Sequence, residues 1–330
     1  MTTHATPVHA AIDRTYARFV SRLPQHLATI AADLPHRLGL TPNAGTPWSR
    51  VFNNPAVLGF PMLLLGATGR VSPELRDRAG AAHLYAIIGA FGMDRIDDGQ
   101  IVVGAGERAI IDRVRHARDE ALSPLLAQAP EVTFDYAEGE RLTAESVKEE
   151  RRAAAGHDPI TMDWYLSVSW KKQGLAFPAS LAAAAAAGFS PEDQRRVEAV
   201  VAGAALGLQY RDDVVDWMDD HAQGFAWAPS LLAQPPSGPA TAEALQERLH
   251  AEGILVRLLE MSSAAFTEAA EAATALGAEA LATWARGQAE ITAGLAEREA
   301  ATPGFAVAWE RDRKARREQQ QATVAATAAA

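Results

Sequence analysis

The sequence contains no cysteine, which excludes disulfides, thiolate metal sites and cysteine nucleophiles; any metal must bind through oxygen or imidazole. Long apolar runs are missing too. The longest, residues 60–67 and 176–189, fall short of the ~20 residues that a bilayer demands and read as core helices. The first residues show no basic region followed by an apolar core, so no secretory leader and no stable membrane span are expected, and a cytoplasmic location is. Basic residues are scattered except over 311–317, and the net charge is −10; a nucleic-acid partner is not expected. Aromatic residues make up only 7%, and clusters of β-branched residues are few and short. What is abundant is alanine, in a chain of 330 residues that is 48% hydrophobic. Such a chain can bury one large helical core or two ordinary domains, and helix is its default.

Helical periodicity runs through blocks at 8–33, 55–67, 73–98, 106–128, 140–155, 160–187, 190–221, 240–275, 277–300 and 303–320, with no strand–helix alternation. Ser72-Pro73 and Ser190-Pro191 read as helix starts, each with a hydroxyl N-cap, proline at the first helical position and acids in the first turn. Residues 233–241, rich in proline, read as a loop. Beyond Arg311 a basic, glutamine-rich segment gives way to ATVAATAAA, too poor in apolar bulk to pack a core; it is expected to be a frayed helix end and a disordered tail. The sequence thus predicts one all-α domain over 1–310 and a tail over 311–330.

Both serine-capped helices end in acids. The apolar run 83–93 leads into Asp94, Arg95, Ile96, Asp97, Asp98 and Gly99. Spacings of three and four put the three aspartates on one face, and Gly99 suits a left-handed cap. Each acid faces the negative end of the helix dipole at a cost of ~0.3–1 kcal/mol, and neighbours repel. A divalent cation on carboxylate oxygens reverses both effects, and Mg²⁺ retains positions for water and phosphate. The second cluster, Asp212, Asp213 and Asp216, continues to Asp219 and Asp220. Asp212, Asp216 and Asp220 recur every four residues as a stripe, beside apolar Val214, Val215 and Trp217.

With these two clusters, the sequence resembles the class I isoprenoid synthase superfamily: trans-isoprenyl diphosphate synthases, class I terpene cyclases and squalene/phytoene synthases. Residues 208–216, LQYRDDVVD, look like the second aspartate-rich motif FQxxDDxxD. The same helix face matches the spacing of the cyclases' (N/D)xxx(S/T)xxxE triad. Asp94 and Asp98 stand at the ends of the first motif, DDxxD, whose second aspartate is replaced by Arg95. Residues 170–175, WKKQGL, resemble the KTG segment whose lysine approaches the diphosphate; Lys172 is the match. The resemblance implies an all-α bundle with a central cavity, in which Asp94, Asp97, Asp98, Asp212, Asp213, Asp216 and Asp220 hold Mg²⁺, three ions in all, with Mn²⁺ as an alternative. Asp94, Asp98, Asp212 and Asp216 are the catalytic candidates. The metal acts as Lewis acid and template on an allylic isoprenoid diphosphate, assisted by Lys172, Lys171, Arg211 and, as a further candidate, Arg95. Tyr85, Phe91, Trp164, Trp170, Phe177, Gln209 and Tyr210 are candidates for lining the pocket, the rings by cation–π contact. A homodimer is common in the superfamily.

The departures narrow the chemistry. The basic GGKRxRP-like segment that binds the isopentenyl pyrophosphate is replaced by apolar residues 55–61, the arginine pair after the first motif is absent, and Gly224-Phe225 stands where elongating enzymes have glycine-lysine. These losses point to a terpene cyclase. The alternatives are a prenyltransferase using another acceptor or joining two allylic diphosphates, and a non-catalytic homologue acting as a partner subunit. Two other signals are set aside. Residues 101–109 imitate a dinucleotide-binding turn without its βαβ unit and read as a loop. Glu247 and His250 have di-iron spacing without a second pair, and His250 reads as a surface residue.

Overall fold

The computed structural model describes residues 7–52, 54–97, 99, 101–155, 160–222 and 241–329. Asp98, the expected loop over 233–240 and Gly224-Phe225 lie outside these residues, as do the side chains of Asp97 and Asp220 and almost all beyond 316. The described residues hold no strand. In chain order the helices are α1 (Pro7–Val20), α2 (Gln25–Ala32), α3 (Leu34–Arg37), α4 (Trp48–Val51), α5 (Pro55–Ala67), α6 (Pro73–Asp97), α7 (Ala105–Gln128), α8 (Tyr136–Ala154), α9 (Met162–Lys172), a 3₁₀ turn (Gln173–Ala176), α10 (Pro178–Ala186), α11 (Pro191–Val215), α12 (Trp217–Ala222), α13 (Ala242–Ala251), α14 (Ile254–Ala275), α15 (Glu279–Ala301) and α16 (Phe305–Ala329). The final helix thus continues through the segment expected to be a disordered tail. No described helix is long and apolar enough to cross a membrane.

The chain divides into two compact units: Met1–Arg141 with Gln173–Val201 and Glu271–Thr283, and Leu142–Lys172 with Ala202–Ala270 and Trp284–Ala330. The sequence suggested a single domain to residue 310. The divisions at 141, 201, 270 and 283 fall inside α8, α11, α14 and α15, so no linker composition marks them.

In the first unit, α5, α6 and α7 pack in succession and α10 lies against all three. Leu38, Trp48, Leu58, Leu84, Ile88 and Ile111 fill the core between them and the N-terminal helices. Burial of a side chain of leucine size contributes about 1.5–3 kcal/mol. Asn54 caps α5 by accepting from the Ala56 N–H at 3.0 Å. The helix then kinks at Gly59 (φ −119°, ψ 21°) and carries Pro61 inside it. Proline has no N–H, so the Val57 carbonyl four residues earlier loses its helical donor. His83 of α6 takes over: its Nε2–H donates to the Val57 oxygen at 3.0 Å.

That bond leaves His83 Nδ1 unprotonated, buried and without a partner. A second proton would put an unpaired charge in the core, and burial accordingly pulls the His83 pKa from 6.5 down to about 4, against the raising effect of the Val57 bond. The folded pKa lies below the unfolded one, so the contribution to stability is complete above the unfolded value and is lost on acidification. As pH falls from 6.5 to 4, the protein should lose ~3 kcal/mol relative to a His83→Gln variant, which keeps a donor but does not titrate. Parallel urea titrations of the two proteins at pH 7 and pH 4.5 read the difference. A pH-independent gap between them would refute this account.

In the second unit, α11 and α14 touch backbone to backbone. A Cβ on Gly203 would sit 2.4 Å from the Ala265 carbonyl oxygen and 3.0 Å from the Ala269 Cβ. One on Gly207 would meet the Phe266 ring at 2.9 Å. The Ser262 hydroxyl crosses the same seam and donates to the Gly207 carbonyl at 2.6 Å. Tyr165, Val214, Trp217, Leu249, Leu258 and Leu259 build the core. Glu299 of α15 is buried and starts α16: its carboxylate accepts from the backbone N–H groups of Gly304 and Ala306, both at 2.8 Å. Its Oε1 also lies 3.3 Å from His250 Nδ1. His250, expected at the surface, is therefore half-buried in the assembly that anchors the last helix.

Candidate active site

The two aspartate clusters belong to different units. In the first unit, Ser72 caps α6, its hydroxyl oxygen accepting from the Leu75 N–H at 3.3 Å. Ala82, His83, Leu84, Tyr85, Ala86 and Ile88 are buried, so the middle of the helix is enclosed nearly all round. Gly92 has no side chain where Ile111 of α7 approaches; a Cβ there would lie 2.8 Å from its Cδ1. Asp94 is exposed at the helix end. Gly99 adopts φ +68°, and its N–H donates to the Ile96 carbonyl at 3.1 Å, the left-handed stop that the spacing predicts. Arg95 reaches toward Gly39. Its Nη2 sits 3.2 Å from the position of a Cβ on Gly39, and its buried Nε has no partner. Of the loop expected over 101–109, residues 101–104 are irregular, whereas 105–109 already belong to α7, which opens with Glu107 accepting from the Gly104 N–H at 3.1 Å.

In the second unit the acids have three different surroundings. Asp212 is exposed. Asp213 turns inward: it is 7% exposed, its Oδ2 accepts from the Tyr165 hydroxyl at 2.8 Å and its Oδ1 from the Gln209 amide at 2.8 Å. Burial raises its pKa, and the Lys172 charge with these two hydrogen bonds works against that rise. α11 ends at Val215 and α12 begins at Trp217, so Asp216 stands at a break. The expected Asp212/Asp216/Asp220 stripe is therefore interrupted. Asp212 and Asp216 remain one turn apart, with the Asp216 N–H donating to the Asp212 carbonyl at 3.0 Å.

Two sets of partners were not foreseen. The α9 lysines face glutamates of α8: Lys171 Nζ lies 2.6 Å from Glu149 and 3.7 Å from Glu145, and Lys172 Nζ 2.5 Å from Glu150. The basic segment of α16, expected to be a solvated end, meets the second cluster. Lys314 Nζ donates to Asp216 Oδ1 at 2.6 Å, and Arg311 lies 3.3 Å from Asp219. Burial would lower the Lys314 pKa, but the hydrogen bond and charge of Asp216, with Glu310 and Asp219, raise it. The signal was present in the i, i+3 spacing of Arg311 and Lys314, but only the chain's path brings that face to the acids. Arg211 is half-buried: its Nη1 donates to Gln288 at 2.9 Å and approaches Thr292 at 3.4 Å, and the guanidinium lies over the Phe266 ring. Burial first, and then the Arg313 charge, lower its pKa to about 10.

The expected pocket residues are divided between the units. In the first, Tyr85 is buried with its hydroxyl donating to the Thr15 carbonyl at 3.2 Å, Phe91 packs on Phe52, and Phe177 on Phe134. In the second, Tyr210 is buried against Tyr165, Trp164 is packed at the core edge, and Trp170 is 41% exposed. A cavity of about 550 Å³ in the first unit lies elsewhere, lined by Arg115, Arg118, Tyr136 and Glu140 among others. Arg115 and Arg118 both pair with Glu140, at 2.9 and 2.6 Å. None of the expected pocket residues lines it.

Carboxylate oxygen is the donor that Mg²⁺ prefers, and Asp216 and Asp219 already attract an ammonium and a guanidinium. The donor chemistry therefore fits a divalent cation, although among the described residues no three acids or imidazoles converge on one point. No protein-family profile and no curated protein matches the chain. Solved structures do. A polyprenyl synthase from Caulobacter crescentus CB15, complexed with calcium and isoprenyl diphosphate, is 20% identical with a TM-score of 0.61, covering 86% of this chain and 95% of its own. A polyprenyl synthetase from Streptomyces coelicolor A3(2) is 16% identical with a TM-score of 0.60 over 84% and 97%. A geranylgeranyl pyrophosphate synthase from Corynebacterium glutamicum, complexed with isoprenyl diphosphate and magnesium, is 15% identical with a TM-score of 0.51 over 88% and 99%. The chain has the all-α fold of the isoprenoid synthases.

Proposed function

We propose that the protein is a Mg²⁺-dependent class I terpene synthase that ionises one allylic isoprenoid diphosphate and releases a terpene and diphosphate. The observation that carries the reading is the pair of acid-tipped helices, α6 and α11, on a fold shared with structures complexed with isoprenyl diphosphate and divalent metal. Asp94, Asp97 and Asp98 of the first unit and Asp212, Asp216 and Asp220 of the second are the candidate metal ligands, for three ions in the fullest form. Bound Mg²⁺ would supply Lewis-acid charge to the leaving diphosphate. Asp213, with both oxygens occupied by Tyr165 and Gln209, positions the end of α11. Lys171 and Lys172, held by the α8 glutamates, are the candidate diphosphate contacts, with Arg211 as a further one. Aromatic rings would keep water from the cation.

The character of α5 favours a synthase using a single diphosphate. Where elongating enzymes are expected to carry basic residues for isopentenyl diphosphate, Ala56, Leu58, Phe60 and Pro61 are buried; none of them offers an anion a counter-charge. A prenyltransferase with another acceptor is the second reading, favoured by the fold neighbours, all named as synthases of prenyl chains. Purified protein with Mg²⁺ and geranyl, farnesyl or geranylgeranyl diphosphate, each with and without isopentenyl diphosphate, separates the two readings. A hydrocarbon or alcohol from one substrate, seen by mass spectrometry, is the expected product. A product joining two allylic units would overturn the cyclase in favour of the transferase, and a longer diphosphate formed only with isopentenyl diphosphate would overturn both in favour of chain elongation.

A further inference from the structure

We propose that Lys314 and Arg311 of α16 are built-in counter-ions of the second aspartate cluster, and that loading a divalent cation requires α16 to release Asp216 and Asp219. This deepens the proposed function and rests on its assignment of Asp216 as a metal ligand.

Two ion pairs on one face of α16 reach the same acidic segment, Lys314 to Asp216 at 2.6 Å and Arg311 to Asp219 at 3.3 Å. The spacing of three residues aligns them. The start of the helix is fixed in the core of the second unit: Glu299 holds the N–H groups of Gly304 and Ala306, and Ala306, Val307 and Glu310 are buried. Past that anchor the side chains from Arg311 to Arg316 are exposed, and these two pairs reach the acids from that exposed stretch. The Lys314 and Asp216 side chains are 46% and 27% exposed, a solvated pair of the weak kind. A lysine ammonium and a divalent cation seek the same carboxylate oxygens. The weaker and singly charged one gives way, and its displacement subtracts from the apparent affinity for the metal.

The test uses the full chain without substrate. Mn²⁺ binding, followed by electron paramagnetic resonance, should tighten about three- to tenfold in Lys314→Gln, and further when Arg311→Gln is added. Acylation of surface lysines followed by mass spectrometry gives an independent readout on the wild-type protein, which has lysines only at 148, 171, 172 and 314. Saturating Mg²⁺ should raise the modification rate of Lys314 relative to Lys148. Unchanged or weaker Mn²⁺ binding in Lys314→Gln, or a Lys314 rate unaffected by Mg²⁺, overturns the proposal. Asp216→Asn separates the two claims. If it abolishes Mn²⁺ binding while Lys314→Gln changes nothing, the metal site stands and the counter-ion role fails. If the wild-type protein binds no Mn²⁺, both fail.

Discussion

Gly203→Ala should destabilise the protein by roughly 3 kcal/mol, although alanine is the better helix former. The added carbon would lie 2.4 Å from the Ala265 carbonyl oxygen, and that atom belongs to the α14 backbone. It cannot swing aside as a side chain does, so α11 and α14 must separate and loosen the contacts along their seam. Gly207→Ala should cost less. Its new methyl meets the face of the Phe266 ring, a side chain that can shift against its T-shaped neighbour Trp284. Gly287→Ala and Gly294→Ala on α15 supply the opposite control, because a Cβ at either has nothing within 4 Å. Each should gain up to ~1 kcal/mol from helix propensity. Thermal unfolding of the four variants reads the order directly. A Gly203→Ala protein as stable as the wild type would show that the helices part without cost.

Asp213→Ala and Asp216→Ala should fail in opposite ways although only two residues separate them. Removing the Asp216 carboxylate takes away a candidate metal ligand, and with several kcal/mol of charge stabilisation at stake turnover should fall by on the order of 10³. Stability should change by no more than about 1 kcal/mol, since its pair with Lys314 is half-exposed. Asp213→Ala removes the acceptor of the buried Tyr165 hydroxyl and one hydrogen bond of the half-buried Gln209 amide. A buried group that loses its partner costs ~1–3 kcal/mol, so roughly 2 kcal/mol should be lost, with Mn²⁺ binding retained by the folded fraction. Mn²⁺ titration beside thermal unfolding distinguishes the two. A stable Asp213→Ala protein that binds no Mn²⁺ would make Asp213 a ligand after all.

What could be read from the chain was local. The serine caps at Ser72 and Ser190 and the left-handed Gly99 depend on a few adjacent residues, and each stands where its spacing puts it. The acid-tipped helices were legible for the same reason, and the all-α fold followed from them. The break at Asp216 was not, because Trp217 supports a second helix there by burial in a core assembled from distant segments. The residues 240–275 read as one block, yet Gly253 at φ +64° divides it into α13 and α14. Hardest to foresee were the partners of the charges. Lys171, Lys172, Lys314 and Arg311 each look like solvent-facing residues until α8, α9, α12 and α16 are folded. The same holds for Asp213, indistinguishable from Asp212 in sequence and opposite to it in burial.

The kink in α5 carries a lesson about inheritance. Pro61 strips the Val57 carbonyl of its donor and His83 returns one, so the two positions form a single unit under selection. A lineage that loses the histidine keeps an orphaned carbonyl in its core until the proline also changes. One that loses the proline first has no further need of a buried imidazole and is free to replace it with a hydrocarbon. The order of substitutions along an evolutionary path is thereby biased: proline before histidine on the way out, histidine before proline on the way in.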